Sequence, residues 1–307
     1  MELIKKEKLV LNEINIKEGS GVFLVEAGDK NRAIEVYYHK PENYRSDSKV
    51  LLVIPGAGRN GDSYRDAWVE KSEKYSILIL SPRYAEKDFG FGDYHMSGLI
   101  YDLDLENSVS YIENSNVAEL NEGNFAFKVN SNSDEWIFND FDRILDLVAS
   151  SLQSTETQYD IFGHSAGGQI LHRLAIFQKA SKANHILAAN SGFYTLPDVE
   201  VNLPFGIKDA PIEDQDLQLS FAKKLVLLVG ELDNESETGG TLLRSPTVDK
   251  QGLNRLDRGK FFFNQSRSLA NALGFEFNWE LQIIPNVGHD HRKMGDAAAA
   301  YLYGNAK

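Results

Sequence analysis

A serine hydroxyl is a weak nucleophile until a base takes its proton, and the base in turn needs an acid to orient it. The chain holds one well-framed set of this kind. Gly163-His164-Ser165-Ala166-Gly167 has the pattern G-x-S-x-G, with Asp233 and His289 downstream. The pattern alone is short, and a chain of this length shows it by chance roughly one time in ten. Its setting is more selective, because a short apolar run precedes it and a helical stretch follows. A turn that tight forces its central residue into a strained backbone conformation. Gly163 and Gly167 lack the Cβ atoms that would clash there. Ser165 then stands at a helix N-terminus, where free N–H groups favour a developing negative charge. Asp233 follows the apolar run at 225–229 and Gly230. His289 follows the run ending in Ile283-Ile284 and the loop Pro285-Asn286-Val287-Gly288. Asp257 is the alternative acid and His291 the alternative base. The triplet His289-Asp290-His291 also suits half a metal site, but further ligands at a suitable spacing are missing. The bland reading of Ser165 is an ordinary turn serine. His164 is expected to pack beside the nucleophile rather than act as a second base.

These residues need strands that end beneath them. Runs at 9–16, 22–26 and 33–38 are β-prone and broken by Gly19, Gly21 and Gly28. The apolar runs at 49–54, 76–80 and 225–229 fit strands buried on both faces of a parallel sheet, and 159–162, 185–189 and 275–284 read as further strands. Helices are predicted over 62–74, 170–179, 261–273 and 293–303, the first capped by Asp62 or Ser63. Phe138, Phe141, Ile144, Leu145, Val148 and Leu152 recur at helical spacing, with Ser133 or Asp134 as a cap. Strands alternating with helices give a single α/β domain over 1–307, with a mostly parallel sheet and helices on both faces. The stretch 84–130, rich in Gly, Tyr, Asp and Asn, breaks that rhythm. It reads as an insertion or lid in which 109–112 and 125–129 pair as a hairpin. The region 191–222 reads as a cap-like loop.

Composition narrows the chemistry. Of 307 residues, 42% are hydrophobic and 25% charged, which supports a sizeable core. With no cysteine, a thiol nucleophile, a disulfide framework and a thiolate metal site are excluded. The net charge of −13 argues against nucleic acid and anionic membranes, and favours neutral over polyanionic substrates. No apolar run approaches a membrane span. No signal peptide is visible in 1–10, so the cytoplasm is the default compartment, with periplasm or export expected if a leader has been removed. The acidic runs 209–216 and 233–237 lack the alternation of a calcium loop and read as solvated surface.

The order Ser165, Asp233, His289, each at a strand's carboxyl end, resembles the α/β-hydrolases over residues 49–303. That resemblance implies an eight-stranded sheet and a serine hydrolase that forms an acyl-enzyme without metal or organic cofactor. It also places Pro55-Gly56-Ala57-Gly58 at the family's oxyanion segment, with Pro55 in place of its histidine. The backbone N–H of Ala166, with that of Ala57 or Gly58, would then form the oxyanion hole. The segment 188–195 and the loop 84–98 are also similar to the polyhydroxybutyrate-depolymerase-like and feruloyl-esterase-like branch. The expected reaction is cleavage of a small-molecule carboxylic ester. The rivals are a serine peptidase or amidase and a non-catalytic binding protein on the same scaffold. Tyr84, Phe89, Phe91, Tyr94, Phe193 and Tyr194 either line the substrate cleft or form a small core under the loops. Tyr84, Tyr94, His95, Ser191 and Tyr194 are the candidate substrate contacts, with a surface loop the other reading for His95.

Overall fold

The structure, a computed structural model, describes residues 14–28 and 31–304. The expected run at 9–16 and the segment 1–10 lie wholly or mostly outside them. Eight strands form the main sheet. They are β1 (Gly19–Glu26), β2 (Ala33–Lys40), β3 (Val50–Ile54) and β4 (Leu78–Arg83), then β5 (Tyr159–His164), β6 (Ala183–Ala189), β7 (Leu225–Gly230) and β8 (Glu280–Ile284). Their order is β1-β2-β4-β3-β5-β6-β7-β8. Only β2 runs against the others.

The continuous apolar runs have a simple cause. In β3 every residue is buried. Val50, Leu52 and Ile54 enter the apolar cluster on one face, and Leu51 and Val53 the cluster on the other. In β7, Leu225 and Leu227 part from Val226 and Leu228 in the same way. Both faces are therefore covered, and each buried aliphatic side chain contributes roughly 1.5–3 kcal/mol. At the edge, β1 alternates instead, leaving Val22 and Leu24 exposed. The predicted stripe on 138–152 forms the helix Phe138–Leu152, with Phe138, Phe141, Ile144, Leu145 and Val148 buried.

Several local expectations change. The first helix, Gly61–Asp66, starts after Asn60, and neither Asp62 nor Ser63 caps it. Ser133 and Asp134 lie inside a short 3-10 turn, where Asn132 Oδ1 accepts the Asp134 N–H. The predicted hairpin between 109–112 and 125–129 does not form. Val109–Tyr111 pairs antiparallel with Val117–Leu120, and Leu242–Arg244 pairs parallel on the other side of Val117–Leu120. Lys128–Val129 pairs with Ile100–Tyr101. The helix expected over 261–273 begins at Arg255, where Asn254 Oδ1 accepts the Asp257 N–H at 2.9 Å. Asp216, assigned to a solvated acidic run, is buried in the helix Asp214–Phe221 and pairs with Lys179 at 2.9 Å.

Buried arginines hold the long connections over the carboxyl edge of the sheet. Arg59, Arg173, Arg255 and Arg258 are each at most 5% exposed. Arg59 donates to the carbonyls of Tyr84, Phe89 and Gly90. Arg173 donates to His95 O at 2.6 Å. Arg255 binds Gly240 O and Thr241 O, and Arg258 binds Gly192 O, Leu243 O and Gly252 O. Each fork satisfies carbonyls that a loop cannot pair within itself.

Candidate active site

Ser165 lies between β5 and the helix Ala166–Phe177, at φ 59° and ψ −116°. A positive φ on a non-glycine residue is strained and persists only where the surroundings enforce it. Here they do. A Cβ on Gly163 would stand 2.5 Å from Gly167 O, and one on Gly167 would stand 2.2 Å from Ile54 O. Strand, helix start and the end of β3 thus touch backbone to backbone. The Ser165 N–H donates to Ala189 O at the end of β6, at 2.9 Å. The side chain remains partly exposed.

Asp233 and His289 lie on the turns after β7 and β8. Glu231 N donates to Ile284 O and Leu232 N to Val287 O, so the two turns are stitched together. Asp233 is fully buried, and its Oδ2 lies 2.8 Å from His289 Nδ1. A proton on Nδ1 shared with that carboxylate leaves the Nε2 lone pair free to accept, a tautomer assigned from the network. Arg255 Nη1 donates to the other carboxylate oxygen at 3.0 Å. The His289 N–H donates to Glu237 Oε2 at 2.7 Å. Asn190 Nδ2 donates to Gly288 O at 2.9 Å, while its Oδ1 accepts from Gly230 N at 2.8 Å. That side chain fixes the ends of β6 and β7 to the histidine turn. Among the described residues no hydrogen bond joins Ser165 Oγ to His289.

The alternatives separate by position. Asp257 sits at the start of the helix Arg255–Leu273, bonded to Asn254. His291 begins the last helix, stacked on Tyr64 with centroids 4.4 Å apart. His164 is buried 4.5 Å from the His289 ring and 3.3 Å from the Tyr64 hydroxyl through Nδ1. Burial, then the neighbouring His289, His291 and Arg255, push its pKa well down, so it stays neutral.

Gly56 approaches Ser165, a Cβ there standing 3.5 Å from the serine Cβ. The next residues, Ala57 and Gly58, are exposed in a turn closed by Arg59 N to Gly56 O at 3.0 Å. Tyr94 Oη donates to Pro55 O at 2.6 Å, which fixes the start of that segment. Ala166 opens the helix behind the serine.

The expected substrate contacts are placed differently. Tyr84, Tyr94, Ser191 and Tyr194 are fully buried and do not face an open cleft. Tyr84 donates to Asp140 Oδ2 at 3.1 Å, and Tyr194 stacks on Phe262 at 4.5 Å. Tyr84, Tyr94 and Tyr194, with Phe89 and Phe193, belong to the large apolar cluster on one face of the sheet. The reason is size, since long connections without sheet pairing need aromatic area to hold them down. His95 is half-buried and stacks on Phe91 at 4.4 Å. Burial, aided by Arg59 and Arg173, pushes its pKa down to about 3, so it too is neutral.

Arg255, Glu237 and Asn190 had no sequence signal as site residues. Glu237 sits in the acidic run 233–237 read as solvated surface, and Arg255 and Asn190 carry no motif.

No protein-family model matches the chain, and no curated protein does. Solved structures do. The chain is similar to poly(aspartic acid) hydrolase-1 from Sphingomonas sp. KT-1, with 31% identity and a TM-score of 0.80 over 94% of this chain and 100% of that one. It is similar to a poly(3-hydroxybutyrate) depolymerase from Bordetella parapertussis, with 24% identity and a TM-score of 0.79 over 94% and 92%. A siderophore hydrolase from Aspergillus nidulans shares the fold at 13% identity and a TM-score of 0.54 over 94% and 96%.

Proposed function

The chain belongs to the α/β-hydrolase superfamily, and on that footing we propose that it is a serine hydrolase cleaving a carboxylic ester through an acyl-enzyme. The observation that carries this reading is the buried Asp233–His289 pair, 2.8 Å apart at the carboxyl edge of the sheet that also presents the strained Ser165. In it, His289 Nε2 takes the hydroxyl proton as Ser165 Oγ attacks the carbonyl carbon. Asp233 holds the imidazole and stabilises the imidazolium. The Ser165–His289 bond forms as substrate docks, since such bonds are often long in unliganded enzymes. The oxyanion is held by the N–H of Ala166 and that of Ala57 or Gly58, each donor supplying roughly 2.7–4 kcal/mol to the transition state. His289 then protonates the leaving alcohol, and water, activated by the same base, releases the acid. The whole chain acts as one hydrolase domain, with 84–130 as insertion or lid and 191–222 as a cap-like loop.

A second reading has an observation behind it. The relative at 31% identity acts on poly(aspartic acid), a polyamide, so amide cleavage on the same triad is the rival. The chain's own charge of −13 disfavours a polyacid and supports the neutral ester. The test assays p-nitrophenyl acetate and butyrate, the matching anilides, poly(3-hydroxybutyrate) and poly(aspartic acid) with native protein and Ser165→Ala. The ester reading expects ester turnover that Ser165→Ala abolishes. Undiminished turnover in the variant overturns the nucleophile. Faster anilide than ester cleavage moves the chain to the amidases. A native protein that a fluorophosphonate fails to label is a binding protein instead.

A further inference from the structure

One run of contacts leads from the insertion to the base. Val109–Tyr111 and Val117–Leu120 make a hairpin, and Asn116 stands just before its second strand. Asn116 Nδ2 donates to Gly240 O at 3.0 Å, and Asn116 O accepts the Leu242 N–H at 2.8 Å. Leu242–Arg244 then continues beside Val117–Glu119 as a parallel strand. Gly240 O accepts a second bond, from Arg255 Nη2 at 3.0 Å, and the same nitrogen binds Thr241 O at 2.9 Å. The other end of that guanidinium fork binds Asp233. Glu237 receives the backbone N–H groups of both His289 and Gly239, each at 2.7 Å.

Gly240 rests on the catalytic ring. It adopts φ +62°, and a Cβ there would stand 2.7 Å from both Cδ2 and Nε2 of His289. The backbone of 240 therefore packs closely against the Cδ2–Nε2 side of the imidazole. A single bond at Nδ1 leaves an imidazole free to swing about that bond, and a displacement of about 1 Å can reduce catalysis by roughly 10²-fold.

We propose that residues 237–241 are a clamp that fixes the rotation of His289, set from outside by Asn116 of the insertion hairpin and from inside by Arg255. Asp233 holds one edge of the ring and Gly240 backs the other, which leaves Nε2 the direction of Ser165. Arg255 and Glu237 are positioning residues, and so is Asn116, which touches neither acid nor base. The insertion acts on the chemical step through this clamp, apart from whatever it contributes to substrate binding. This inference rests on the serine-hydrolase reading above.

The experiment compares native protein with Asn116→Ala, Glu237→Gln and Arg255→Lys. It measures kcat and KM on p-nitrophenyl butyrate, the second-order rate of inactivation by a small fluorophosphonate, and the thermal midpoint. Arg255→Lys keeps the positive charge beside Asp233 but cannot bind Asp233 and both carbonyls at once. The clamp predicts that each variant loses kcat by about 10–10²-fold. KM stays within about two-fold, and inactivation slows in proportion because the probe reports nucleophile activation rather than substrate fit. Asn116 lies at a partly exposed loop position, so Asn116→Ala keeps its thermal midpoint. Wild-type kcat and inactivation in Asn116→Ala overturn the clamp, as does a change confined to KM. Native protein inert to both ester and fluorophosphonate overturns the serine-hydrolase reading and the clamp with it.

Discussion

Gly167→Ala tests whether the strained serine turn is held by backbone contact. The new Cβ would stand 2.2 Å from Ile54 O and 2.9 Å from Pro55 O, against the 3.4 Å at which ordinary contact begins. Both neighbours are main chain, so no rotamer change relieves the clash. The helix start and the end of β3 have to part by about 1.2 Å. That movement separates Ala166 from 55–58, the two sides of the proposed oxyanion hole. Over-packing of this kind destabilises by about 1–3 kcal/mol, a drop of roughly 2–10 °C in thermal midpoint for a chain of this size. Loss of one well-placed oxyanion donor lowers kcat by about 10²–10³-fold. KM should barely move, since these donors act on charge that develops only in the transition state. Thermal unfolding and p-nitrophenyl butyrate kinetics read the two effects on the same sample. Native midpoint and native kcat together would refute the steric account of the turn. A lower midpoint with native kcat would refute the placement of the oxyanion hole.

Two further outcomes follow from buried charge. Asp233→Ala strands the Arg255 guanidinium, which is 2% exposed; urea unfolding should show a loss of about 3–5 kcal/mol. Adding Arg255→Met should restore much of that stability while activity stays absent; a double variant no more stable than Asp233→Ala contradicts the pairing. Burial holds the Asp140 carboxyl up to about 6, against the lowering influence of Arg143, Tyr84 and the Gly28 N–H. A raised carboxyl binds its proton more tightly in the folded state. Its contribution, roughly 3 kcal/mol, is therefore complete below about pH 4 and lost as pH rises through 6. Asp140→Asn should flatten that slope in urea midpoints, and an Asp140 carboxyl resonance titrating below pH 4 would contradict it.

The sheet was legible because strands covered on both faces are apolar at every position, as at 50–54 and 225–230. The helix over 138–152 was legible from its stripe, and the Ser165 turn from the steric demand of two flanking glycines. The hairpin partner of 109–111 was not. Its real partner, Val117–Leu120, is short and carries Glu119, and it is completed by Leu242–Arg244 more than a hundred residues away. The aromatic residues of 84–94 and 193–194 were open to two readings because area that lines a cleft and area that anchors a loop have the same composition. Arg255 escaped notice for another reason. Arginine is ordinarily a surface residue, and only the fold brings an acid and two carbonyls within reach of its fork.

The buried arginines have a consequence for how such a protein diverges. A guanidinium bonded to carbonyl oxygens reads the course of the main chain, and most of the hydrogen bonds of Arg59, Arg173 and Arg258 go to such carbonyls. The connections held by Arg59, Arg173 and Arg258 can exchange what they present to solvent while their paths stay fixed. The surface around the serine is therefore open to piecemeal change on a frame of buried arginines and sheet.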